Sequence, residues 1–129
     1  MGTAGTRPYP PTAFSRGRAQ TMTAALPGFA GRTYLFEVDN GAAFRNAYSA
    51  DGRRLRWEGL GESAGQWEDV ALHVAEVAPL IYFVSWTEKS GITVSHVMDL
   101  NSMTVKAFWT WEGEGGRVGQ LHTGRLTPA

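Results

Sequence analysis

Cysteine is absent from this 129-residue chain. Its absence excludes disulfides, thiolate metal sites and a cysteine nucleophile, and a reducing cytoplasm suits such a chain. Net charge is missing as well: Lys plus Arg number 12, Asp plus Glu number 12, and the pI is about 6.8. With no overall basic field, nucleic acid is not an expected partner. Long hydrophobic runs are lacking. The longest uncharged apolar stretch, Val77 to Trp86, is too short to cross a bilayer and is interrupted by Pro79, so no membrane partner is expected. Sustained helical periodicity is also absent, although Trp67 to Glu76 could form one short helix. Residues 1–32 contain no acidic residue, carry Arg7, Arg16, Arg18 and Arg32, and cluster Pro8, Pro10 and Pro11. They have no apolar core of the secretory kind. The expectation for residues 1–30 is a disordered or extended arm, with an upstream extension before Met22 and an organellar transit segment as the alternatives.

What is present is strand grammar. Tyr82 to Glu88 and Ile92 to Asp99 are rich in β-branched and aromatic residues and are joined by Lys89-Ser90-Gly91. Two such runs around a short polar glycine-bearing linker read as a β-hairpin. The pattern recurs from Arg32 to Leu126. Thr33 to Asp39 alternates, with Tyr34, Phe36 and Val38 on one face. Asn40-Gly41 is a strong hairpin turn because both residues tolerate positive φ. Ala42 to Ser49 follows with Phe44, Asn46 and Tyr48 on one face, then Asp51-Gly52 turns into Arg53 to Gly59. After a glycine-rich loop to Gly65, further strands are expected over Gln66 to Val77, Ile81 to Glu88, Ile92 to Leu100, Thr104 to Trp111 and Arg117 to Leu126. The fourth has a potential break near Glu68-Asp69. A sheet of about eight antiparallel strands must curl and close or stack to remove its edges. The predicted class is all-β, an antiparallel barrel over residues 31–127. Such a barrel holds packed side chains or a cavity for one small ligand.

Five Trp, four Tyr and six Phe are a heavy aromatic load. Trp86 shares a face with Tyr82 and Val84, and Trp109 and Trp111 share one with Val105 and Ala107. These residues form either a plain packed core or the lining of a ligand cavity. Trp57 and Trp67 flank the glycine-rich loop and could close the barrel mouth. His96 shares its face with Ile92, Val94 and Met98, as a hydrogen-bonded core histidine or as a polar, proton-exchanging handle in a pocket. His73 and His122 lie on other strands without ligand spacing, so no metal is expected. Gly113 to Gly119 misses the dinucleotide spacing and joins two strands, which makes it a hairpin turn. Ser85 and Ser95 beside His96 lack a nucleophile-elbow sequence.

Phe36-Glu37-Val38-Asp39-Asn40-Gly41 with Phe44, and Ile81 to Glu88 with Gly91 behind it, resemble bacterial phenolic acid decarboxylases. Gly31 to Leu126 as a whole is more similar to the molybdenum cofactor biosynthesis protein F (MoaF-like) family. That family has a similar Asp39-Asn40-Gly41 hairpin, Tyr82-Phe83-Val84-Ser85-Trp86 strand and Met98-Asp99-Leu100 ending. Both resemblances imply a lipocalin-like (calycin) barrel. The decarboxylases use two tyrosines, an arginine and a glutamic acid. The tyrosine positions fall here on Phe36 and Val38, and the glutamate position on Pro79. The arginine has a counterpart in Arg56, which the resemblance points inward. Without the phenols and the carboxylic acid, decarboxylation by that mechanism is not expected. A homodimer is implied by analogy.

Together these readings lead to the expectation of a barrel that binds a small aromatic or heterocyclic, anionic metabolite. Tyr34, Phe36, Trp86, His96 and Trp109 would line the cavity, with Arg56 clamping the anion. The alternative is a cofactor-free lyase, isomerase or cyclase in the same cavity, with His96 moving the proton and Arg56 holding the anion. Glu88 is a weaker candidate because it ends its strand. No cofactor is expected.

Overall fold

Alternation of apolar and polar side chains, punctuated by positive-φ glycines, dictates the architecture. The computed structural model describes residues 25–129. Among these residues nine strands run in order: β1 Thr33–Val38, β2 Ala43–Tyr48, β3 Arg54–Gly59, β4 Trp67–Ala71, β5 His73–Ala78, β6 Ile81–Thr87, β7 Thr93–Asp99, β8 Thr104–Gly113 and β9 Gly116–Pro128. All pairings are antiparallel, and the sheet order is β4-β3-β2-β1-β9-β8-β7-β6-β5. Pairing of β1 with β9, which sets Phe36 opposite Leu126, curls this meander into a nearly closed barrel. The all-β antiparallel barrel expected from the sequence is the fold observed.

The strand count differs from the expected eight. The stretch expected as one strand over 66–77 is two, separated at Leu72. β4 pairs with β3 and β5 pairs with β6, so these two consecutive strands form the two edges of the sheet. The break falls later than Glu68-Asp69 because Asp69 is paired across the sheet with Arg56 and held there by its guanidinium. The Leu72 amide still bonds the Arg53 carbonyl at 2.9 Å; beyond it the chain leaves β3 and joins β6. The Glu68 carboxylate bridges the seam by accepting the Lys89 amide at 2.9 Å. Edge strand β5 is exposed and carries a register shift between Glu76 and Ala78, an irregularity that discourages pairing with another chain. Residues 67–76 do not form the short helix that their sequence allowed.

One end of the barrel is filled. Phe29 is fully buried, 4.7 Å from the Tyr48 ring and 5.2 Å from Tyr82, and the Gly28 amide donates to the Tyr82 hydroxyl at 3.0 Å. The lead-in segment therefore belongs to the barrel, which begins before residue 31. Residues 1–24, most of the expected arm, lie outside the described residues. Tyr34, Tyr48, Leu55, Met98 and Val105 complete the packing of this half. The opposite half, at the end bearing the Asn40-Gly41 turn and the loop after β3, stays open.

Candidate functional site

A cavity of about 240 Å³ occupies the open half. Phe36 on β1, Phe44 on β2, Trp57 on β3, Trp86 on β6 and Trp109 on β8 form its walls. These positions are those whose alternation aims them inward near one end of each strand. Phe44 joins three of its neighbours, at 6.2 Å from Phe36 and edge-on to Trp57 and Trp109 at 6.1 and 6.3 Å. Ser63 and Gln66 reach the cavity from the loop and Glu88 from the end of β6. Two glycines make this arrangement possible. A Cβ on Gly124 would overlap the Phe36 ring, and one on Gly59 would overlap the Ser63 carbonyl, so their absent side chains admit the wall and the loop.

His96 lies on the inner face of β7, its ring edge-on to Trp86 at 5.0 Å and Phe36 at 5.2 Å. It is 2% exposed, and its Nδ1 has no hydrogen-bond partner among the described residues. Burial pushes its pKa down to about 3, so the ring is neutral near pH 7. The Glu88 carboxyl accepts the Trp86 indole N–H at 3.0 Å. Burial raises its pKa above the ordinary carboxylate value, nearby Glu68 adds to the rise, and the Trp86 bond opposes it. Thus the cavity holds one neutral imidazole and one carboxyl with weakened acidity.

The turn that begins at Asp39 supports one wall. Asp39 accepts the Thr123 amide at 3.0 Å and faces His122 Nδ1 at 2.8 Å. These two contacts, the backbone one first, hold its carboxyl below the usual range. The His122 ring in turn packs 4.5 Å from Trp109. The Asp39-Asn40-Gly41 hairpin therefore ties β1 to β9 behind the aromatic wall.

Of the residues singled out from sequence, Phe36, Trp86, His96 and Trp109 meet at the cavity. Tyr34 does not; it packs 6.1 Å from Tyr48 in the filled half. Arg56 does not either, which corrects the inward orientation expected from the resemblance. Leu55 and Trp57 point inward on β3, so Arg56 between them must point outward. Its guanidinium binds Asp69 through two bonds of 2.7 and 2.8 Å and stacks 4.5 Å over Trp67. Trp67 is accordingly exposed beside it and does not close the mouth, whereas Trp57 lines the cavity. The Ser85 hydroxyl bonds the Val94 carbonyl and Ser95 Oγ, both at 3.0 Å. These serines alternate with the inward His96, so strand parity separates them from the imidazole. Sequence reasoning passed over Phe44 and Asn46 as lining residues, although their alternation with Tyr48 was a usable signal. Ser63 and Gln66 left no such signal, because a loop has no period.

Residues 30–122 match the MoaF-like family model. The chain belongs to the MoaF-like family. A relative from Vibrio cholerae serotype O1 (strain ATCC 39315 / El Tor Inaba N16961), named a probable phenolic acid decarboxylase, is 31% identical over 85 residues. That alignment covers 62% of this MoaF-like chain and 47% of the relative, so the chain spans about half the relative's length. A crystal structure from Burkholderia vietnamiensis, described as a "putative beta-lactamase", superposes with a TM-score of 0.72 at 29% identity. It covers 82% of this chain and 100% of that one. In the MoaF-like barrel Phe36 and Val38, where the sequence resemblance sets the decarboxylase tyrosines, are buried inner-face residues without a hydroxyl. Among the described residues, no helix is long and apolar enough to cross a membrane.

Proposed function

We propose that this MoaF-like barrel binds a small planar aromatic or heterocyclic metabolite in its open half. The observation that supports this reading is a cavity of about 240 Å³ left unfilled between five aromatic walls, while the other half of the same barrel is packed. An apolar cavity of about 150 Å³ holds a benzene, so this one suits a substituted ring or a fused pair of rings. Aromatic walls favour flat ligands through stacked and edge-on contacts. The expected anion preference rested on Arg56, and with that residue bound to Asp69 on the outer face it loses its basis. A cytoplasmic location is part of the proposal, since a cysteine-free chain suits a reducing compartment.

Titration of tryptophan fluorescence with a panel of one- and two-ring compounds tests the reading, because Trp57, Trp86 and Trp109 line the cavity. Trp109→Ala should weaken a true ligand by about tenfold or more, as loss of one stacking wall predicts, and Tyr34→Phe should leave its affinity unchanged. A ligand bound equally by wild type and Trp109→Ala would place binding elsewhere.

Catalysis is the second reading, favoured by an unprotonated imidazole and a carboxyl of raised pKa on one cavity. Such a pair suits a cofactor-free lyase, isomerase or cyclase in which the Glu88 carboxylate takes a proton from one atom of the bound compound and returns it to another, while the neutral His96 ring holds the compound by a hydrogen bond. Turnover of a bound compound by wild type, lost in His96→Ala and Glu88→Gln, would establish it. Binding without turnover would leave the binding role alone.

A further inference from the structure

The cavity has a polarity that its aromatic walls do not account for. Among the described residues, no Lys or Arg lines it, and its ionisable lining groups are Glu88 and the neutral His96. Four buried side-chain atoms lack hydrogen-bond partners among the described residues. Three of them belong to lining residues: the acceptor Asn46 Oδ1, the donor Trp57 Nε1 and His96 Nδ1. Native proteins leave few such atoms unpaired; the Asn46 amide lies beside the Tyr48 hydroxyl, whereas Trp57 and His96 stand in the cavity wall, where the edge of an occupant would pair with them. Glu88 uses Oε2 for the Trp86 indole, which leaves Oε1 as an acceptor for a ligand N–H or O–H.

The neighbouring charges offer nothing to an anion. Glu68 stands behind Glu88 and raises its pKa. Arg56 is committed to Asp69, and Arg117 to the Gly91 carbonyl and Thr110. Lys89 is exposed in the turn beyond Glu88 and does not line the cavity. An entering carboxylate would meet a like charge at reduced dielectric with no compensating cation among the described residues.

We infer that the cavity selects an uncharged planar ligand of one or two rings, bearing edge donors and acceptors, and that Glu88 turns away the carboxylate of the same shape. This inference rests on the binding reading and assigns its ligand class. Specificity arises as much from the unpaired like charge facing the wrong ligand as from contacts to the right one.

Isothermal titration with shape-matched pairs tests it: 4-hydroxybenzamide against 4-hydroxybenzoate, indole-3-carboxamide against indole-3-carboxylate, and benzenesulfonamide against benzenesulfonate. Wild type should bind each uncharged member at least about tenfold more tightly than its anion. Glu88→Gln keeps an acceptor and removes the charge, so the gap should shrink to about threefold or less. Gln66→Lys sets a cation on the exposed loop at the mouth and should shift the preference towards the anions, which keeps the inference testable if Glu88→Gln fails to fold. Anions bound as tightly as their uncharged partners would overturn the inference and leave the binding reading standing. A gap unchanged in both variants would also overturn it. If no compound of either kind binds below about 1 mM, the binding reading falls and the inference falls with it.

Discussion

Lowering the pH should destabilise this protein through His96 before its carboxylates are involved. The ring has an ordinary pKa of 6.5 when unfolded and about 3 in the folded barrel, because burial penalises its charged form. Between those values the unfolded chain binds a proton that the folded chain refuses, so stability falls as pH falls. From pH 7 to pH 5, linkage at this single site removes about 2 kcal/mol. Asp39, Asp51, Asp69 and Asp99, whose folded pKa values are lowered, lose stability in the same direction. Their losses come mainly at more acidic pH. Glu88, whose folded value is raised, acts in the opposite direction. All five contributions are shared by a His96→Gln variant, which lacks only the imidazole. Urea denaturation of both proteins at pH 7, 6 and 5 isolates the difference. The wild type should lose about 2 kcal/mol more than His96→Gln across that range, and the His96 ring should show no NMR titration above pH 5. Parallel stability profiles, or a ring that titrates near its ordinary value, would refute the reasoning.

Three further outcomes follow from the packing. Phe29→Ala should cost about 3–5 kcal/mol by emptying the filled end of the barrel, read as a lower urea midpoint; a loss below about 1 kcal/mol would show that the lead-in does not plug the core. Gly124→Ala would set a methyl against the Phe36 ring and 2.7 Å from the Glu37 carbonyl, and should destabilise by about 1–3 kcal/mol through overpacking while weakening any ligand of the cavity. Arg56→Ala should leave the affinity for a cavity ligand unchanged, because its guanidinium lies outside on Asp69 and Trp67; a large loss of affinity in titration would contradict that placement.

Much of this barrel is legible in the amino-acid sequence alone. The alternation of Tyr34, Phe36 and Val38 on β1, of Val94, His96 and Met98 on β7, and the turns at Asn40-Gly41 and Asp51-Gly52 settle strands, faces and connections, because strand parity and positive φ are local properties. Parity sets Arg56 on the face opposite Leu55 and Trp57 without saying which face is the inner one; the resemblance to decarboxylases pointed Arg56 inward, and the closed barrel puts it outside. What the sequence could not decide was how far each inward residue lies along the barrel. Tyr34 and Phe36 share a face two residues apart, yet one is buried in the packed half and the other bounds the cavity, because Phe29 fills one end only. The seam at Leu72, the arrival of Ser63 and Gln66 over Gly59, and the absence, among the described residues, of any lysine or arginine from the cavity lining likewise depend on closure. Periodicity assigns a side chain to a face; only pairing between β1 and β9, strands from opposite ends of the described chain, determines which faces enclose the same space.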